Sequence, residues 1–206
     1  MSVPAMVLGL TLWTAAAAVG DLPQQYQDAL IVLRTGNDPA RRALAAIALG
    51  HGLSGLEAVP DADVVAALGS AMRADQDPTV QAMASYALCV LRDRRAVSNL
   101  IAAVQSSIAR GVDQQGPVSD AVRLPIPYLY RALGHVGGPE ATAFLIEIAR
   151  AGPARARVPA IAALGLVVDD DGQVERALAR LAGDADPNVR NAARYVLGER
   201  RPPRRK

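Results

Sequence analysis

Apolar residues in this chain recur at steps of three and four, and long alternating runs are absent, so its elements are helices. The clearest case is Val189, Ala192, Ala193, Val196 and Leu197, which share one helical face. That stretch sits inside a phrase used three times: Asp38-Pro39 to Ala48-Leu49-Gly50, Asp77-Pro78 to Ala87-Leu88-Cys89, and Asp186-Pro187 to Val196-Leu197-Gly198. Each copy spans twelve positions from the Asp to the closing small residue. A unit that cannot bury its apolar face alone stacks on copies of itself.

The phrase has a mechanical reading. Asp38, Asp77 and Asp186 stand where an N-cap carboxylate accepts the free amides of a first turn. The prolines that follow take the first helical position, where no amide donor is needed. The closing residue recurs at Gly9, Gly50, Cys89, Gly134, Gly165 and Gly198, with gaps of 41, 39, 45, 31 and 33. Cys89 in this slot favours close packing over a left-handed cap, because only glycine adopts that backbone without cost. Each gap holds a second helical stretch: 23–35, 62–74, 94–110, 139–151 and 172–183. The reading is about eleven helices, five pairs and an unpaired first one.

The run Asp186-Pro187-Asn188-Val189-Arg190 leading to Val196-Leu197-Gly198 resembles HEAT repeats, in particular the short HEAT-like repeats of phycobilin (phycobilisome) lyases. Weaker copies are Asp38-Pro39-Ala40-Arg41-Arg42 and Asp77-Pro78-Thr79-Val80-Gln81. The resemblance implies an all-α, right-handed α-solenoid of the armadillo/HEAT type with about five and a half helix pairs over residues 1–199, followed by a basic tail, 200–206. It implies that the second helices line a concave face. It also implies a structural role for Arg42 and Arg190, each pairing with the capping Asp of a neighbouring unit, with Gln81 replacing that arginine.

Charge and composition change the picture in three places. Net charge is +2, but Arg200, Arg201, Arg204, Arg205 and Lys206 supply five positive charges, leaving −3 on residues 1–199. A mildly acidic body argues against a nucleic-acid surface, and the tail reads as a solvated end. The lone Cys89 excludes an intramolecular disulfide and reads as a small core residue, not a nucleophile. Residues 1–20 carry no charge, yet Val3-Pro4-Ala5-Met6-Val7 echoes Val158-Pro159-Ala160-Ile161-Ala162. They read as a repeat helix in a cytoplasmic protein; a signal or anchor, which would make the chain exported or membrane-attached, is the alternative. An unpaired helix there offers an apolar face to a second copy, so a homodimer through this end is one expected arrangement.

Candidate chemistry is sparse. His51 and His135 both follow a closing glycine, but they lie two repeats apart with no ligand cluster beside them, so neither metal nor cofactor is expected. HEAT-like hydroxylases hold iron with His-Glu pairs, whereas Gly52 follows His51 and Val136 follows His135. HEAT-like DNA glycosylases resemble this fold too, but they need a basic, aromatic-bearing groove. Asp169-Asp170-Asp171 reads as a turn and cap.

The expected function is therefore a surface: a non-enzymatic scaffold binding an unidentified protein partner along its concave face, in one form a segment of a larger bacterial repeat protein. Tyr86, Tyr130, Arg131, Arg194 and Tyr195 are the candidate contact residues, set on outward ridge positions and of types enriched at interface hot spots. Packing of the tyrosines against a neighbouring repeat is the alternative. The polar insertion 111–119 is a second candidate surface, with a kink or late helix start expected at Pro125 and Pro127. A phycobilin-lyase-like enzyme or subunit, and electrostatic attachment to nucleic acid or membrane through the tail, are the alternative functions.

Overall fold

The computed structural model describes residues 22–54, 61–109, 126–168 and 171–200. The expected N-terminal repeat helix or signal, its homodimer face, the insertion 111–119, Pro125, Asp169-Asp170 and tail residues 201–206 lie outside them. The described residues form ten α-helices and no strand. In chain order these are α1 (Gln24–Thr35), α2 (Pro39–Ser54), α3 (Ala62–Ala74), α4 (Pro78–Val90), α5 (Val97–Ala109), α6 (Ile126–Val136), α7 (Pro139–Ala151), α8 (Ala154–Leu164), α9 (Gln173–Leu181) and α10 (Pro187–Arg200). A single 3-10 turn, Arg94–Ala96, leads into α5.

The capping phrase folds as its chemistry dictates. Asp38 accepts from the Ala40 amide at 2.9 Å, Asp77 from Thr79 at 2.7 Å, and Asp186 from Asn188 at 2.8 Å. Pro39, Pro78 and Pro187 open α2, α4 and α10. Pro127 falls in the first turn of α6, where a missing amide breaks no helical bond. Pro159 instead lies inside α8.

Consecutive helices pack as pairs, α1 with α2 through α9 with α10, and the pairs stack side by side. The even-numbered helices make one continuous layer, α2–α4–α6–α8–α10. The odd-numbered helices cover it, with α1 against α3 and α7 against both α5 and α9. The core lies between the layers. Leu49, Leu88, Leu133 and Leu164 are buried there, each stabilising the stack by about 1.5–3 kcal/mol, and Leu197 on the last described helix is half-buried.

The small residues of the phrase set the spacing of the even layer. A methyl built on Gly50 would lie 2.7 Å from Ala87 Cα, and one on Gly134 would lie 2.4 Å from the Ala163 carbonyl oxygen. Gly165 faces Val196 in the same register, but meets its side chain, 3.2 Å from Cγ1. In all three cases the closing glycine of one unit rests on the residue two before the closing position of the next. The Ala-Leu-Gly phrase is thus a stacking register: Leu fills the core, and Gly and Ala let neighbouring backbones meet. Gly50 and Gly134 are thus packing sites, whereas Gly198, on the last described helix, has open space around it.

Candidate functional site

The side chains just before and just after the closing position decide what the even layer presents. Four residues before it, Ala46, Ser85, Tyr130 and Ile161 are all buried. Arg194 has the equivalent place on α10 and is exposed, no even-numbered helix being described beyond it. Three residues before, Tyr86 is buried, Arg131 exposed and Tyr195 70% exposed. The outward placement expected for Tyr86 and Tyr130 is therefore corrected: both rings are buried, Tyr86 against His51 of the preceding unit. Arg131, Arg194 and Tyr195 do stand on the surface. Tyr128 joins them at 47% exposure, a residue that helical spacing from the closing position did not pick out.

Tyr86 is buried as a ring but engaged at its hydroxyl. His51, one residue beyond Gly50 on α2, brings Nε2 within 2.5 Å of Tyr86 Oη, and the two rings lie 5.5 Å apart. Burial is the main cause that raises the Tyr86 pKa to about 12, aided by Tyr128 and opposed by Arg131. The phenol keeps its proton, and Tyr86 Oη and His51 Nε2 share one hydrogen bond whose donor is set by the imidazole tautomer. On α6, Arg131 Nε donates to His135 Nε2 at 3.4 Å. Burial lowers the His135 pKa, and the positive charges of Arg131 and Arg92 lower it further. His51, Tyr86, Tyr128, Arg131 and His135 thus run across α2, α4 and α6, joined by Arg92 from the turn after α4.

The structural arginines bind more than expected, and to a different carboxylate. Arg42 makes a two-pronged contact with Asp75, Nε to Oδ2 and Nη2 to Oδ1, both at 2.8 Å. Its Nη1 donates back to the Gly36 carbonyl at 2.8 Å. The pairing with a capping Asp is corrected: Asp77 is committed to the α4 amides, and Asp75, two residues earlier, takes the arginine. Asp75 also accepts from the Asp77 amide at 2.9 Å. Arg157 repeats the device on α8, reaching Asp184 at 2.5 Å and the Ala149 carbonyl at 2.9 Å. Arg42 and Arg157 hold the Asp75 and Asp184 carboxyls below their usual pKa. Arg190 donates to the carbonyls of Asp184 and Ala185 instead. Gln81 donates to the Asp75 carbonyl. The sequence signal for the clamp is Asp-x-Asp-Pro, present as Asp75-Gln76-Asp77-Pro78 and Asp184-Ala185-Asp186-Pro187.

Arg200 is also reassigned. It closes α10 and its Nη1 donates to the carbonyls of Leu164, Gly165 and Val167, at 2.8 to 3.3 Å, which ends α8. It belongs to the body, not to a solvated tail. Cys89 is fully buried and its thiol pKa is pushed up by that burial, so it packs as a small core residue. Among the described residues, no group of three His, Cys, Asp or Glu side chains gathers to hold a metal, and no helix is long and apolar enough to cross a membrane.

The fold and this surface together define an all-α stack of helix pairs carrying a polar, aromatic ridge on its even-numbered layer. Compared with protein-family models and with curated protein sequences, the chain matches none.

Proposed function

We propose that this chain is a HEAT-like, right-handed α-solenoid acting as a non-enzymatic cytoplasmic scaffold that binds a protein partner along the face of its even-numbered helices. The observation that carries the reading is the ridge of Tyr128, Arg131, Arg194 and Tyr195, all exposed and all on even-numbered helices. Curvature supports it as well. The even helices touch backbone to backbone at Gly50–Ala87 and Gly134–Ala163, whereas the odd helices meet less extensively. Closer contact within one layer is the mark of the inner layer of a curved stack, and it supports a concave ridge face. Tyr and Arg on such a face supply the anchors that dominate interface energy.

The test is capture of partners from the native host by two forms of the protein. The fourfold variant Tyr128→Ala, Arg131→Ala, Arg194→Ala, Tyr195→Ala should unfold at the same temperature as the parent, since none of these side chains fills the core. The reading expects a discrete protein retained by the parent and lost from the variant. Identical capture by both forms contradicts it.

A further inference from the structure

We propose that the junction of α4 and α6, where Arg92, Arg131 and His135 converge beside Tyr86 and Tyr128, is a recognition site for the carboxylates of an acidic protein segment. This rests on the scaffold reading above and names the chemistry of the partner.

The first support is an unmatched group of cationic donors. Arg34, Arg41, Arg42, Arg95 and Arg157 each pair with an aspartate. Among the described residues, neither Arg92 nor Arg131 forms an ion pair, although both lie close enough to His135 to repel its proton. The nearest carboxylate in sequence is already used: Asp93 accepts from the Arg95 amide at 3.0 Å and pairs with the Arg95 guanidinium at 2.5 Å. The charged and titratable groups brought to His135 and Tyr86 are His51 from α2, Arg92 from the turn after α4, and Tyr128 and Arg131 from α6. None of these is an acid. With no carboxylate beside them among the described residues, these like charges favour an incoming one.

The second support is independent and lies in the backbone. Arg92 has φ +62°, the only positive φ outside glycine among the described residues. It occupies the position after the α4 cap where helices normally use glycine. The turn closes as expected there, Arg92 N–H to the Cys89 carbonyl at 3.0 Å and Asp93 N–H to Leu88 at 2.8 Å. An arginine in this slot carries backbone strain that glycine would remove. Its side chain is what glycine would forfeit, and its positive charge is felt at His135.

Two arginines, an imidazole and an exposed phenol suit one or two carboxylates better than a polyphosphate backbone. Nucleic acid needs a long track of cationic contacts, and residues 1–199 carry a net −3. A phosphorylated side chain shares the oxyanion chemistry, and the experiment separates it.

The test is fluorescence anisotropy of the full chain at about 0.15 M salt, with three probes: a Glu/Asp-rich peptide, the same peptide with its acids replaced by amides and one phosphoserine added, and a single-stranded oligonucleotide. The acidic peptide should bind, and Arg131→Ala should weaken it about tenfold or more, the loss expected for a charge-assisted contact. Binding should strengthen from about pH 7.5 to about pH 6 as a bound carboxylate helps His135 take up a proton, and His135→Gln should remove that pH dependence. Arg92→Gly should raise the melting temperature while weakening the peptide, a pairing that a purely structural residue would not give. Absence of acidic-peptide binding, binding indifferent to Arg131→Ala, or preference for the phosphopeptide or oligonucleotide overturns the proposal. If host partners are still lost from the fourfold variant while the acidic peptide fails to bind, the scaffold reading stands and this inference alone falls.

Discussion

Arg92 and His135 show how single residues hold tension in this molecule. A left-handed arginine costs about 1–2 kcal/mol, and glycine in its place returns about 0.5–1 kcal/mol of that as chain entropy lost on folding. Arg92→Gly is therefore expected to stabilise the protein by about 0.5–1 kcal/mol, measurable by urea unfolding. His135 has its folded pKa below the unfolded value of 6.5, so the unfolded chain binds more protons as pH falls through that value. Stability should decline as pH drops below about 6.5, and His135→Gln should flatten that part of the curve. Tyr130 sits at the opposite extreme: it is among the largest fully buried side chains, and Tyr130→Ala should cost about 3–5 kcal/mol. Whether a ridge tyrosine faces water or a neighbour was not legible in the sequence. Helical periodicity places Tyr86 and Tyr130 off the primary stripe, and only the stacking distance to the next unit decides that they are covered.

At the scale of elements, the Ala-Leu-Gly register and the Asp-Pro caps were legible because each depends on residues within one helix. The clamp was only half legible. Arg42 stands out beside Asp38-Pro39, but its partner Asp75 is in another unit, and Arg157 follows a turn with Gly152-Pro153 in place of Asp-Pro. The sequence signal needed was the doubled aspartate, read as one carboxylate for the cap and one for the neighbour. Arg42→Ala should cost about 2–3 kcal/mol, because the Asp75 carboxylate, 9% exposed, would lose its partner. With that carboxyl held below its usual pKa by Arg42, the clamp contributes at neutral pH and is lost as acid protonates Asp75; the Arg42→Ala variant should show a weaker acid dependence. Gly134→Ala tests the register. The added methyl meets a rigid carbonyl at 2.4 Å, and overpacking of about 1–3 kcal/mol outweighs the roughly 1 kcal/mol of helix propensity gained. Circular dichroism during thermal unfolding would reveal both losses.

For the whole molecule, the clamps fall unevenly. Arg42–Asp75 ties the α1/α2 pair to α3/α4, and Arg157–Asp184 ties α7/α8 to α9/α10. The arginine slot holds Gln81 on α4 and Ile126 on α6, so among the described residues the middle of the stack carries no such clamp. The Arg92–Arg131–His135 group lies across that middle. A ligand held there would bridge α4 and α6, tying the clamped α1–α4 half to the α5/α6 pair.

Site-specific photo-crosslinking in the native host reads out whether the even-numbered layer is the recognition face. A photoreactive phenylalanine analogue at Tyr128, on α6, is compared with the same group at Ile31, an exposed apolar position on α1 of the opposite layer. The account predicts a discrete crosslinked species from position 128 that disappears when Arg131→Ala is added, and none from position 31. A crosslink from position 31 with none from position 128 would contradict it.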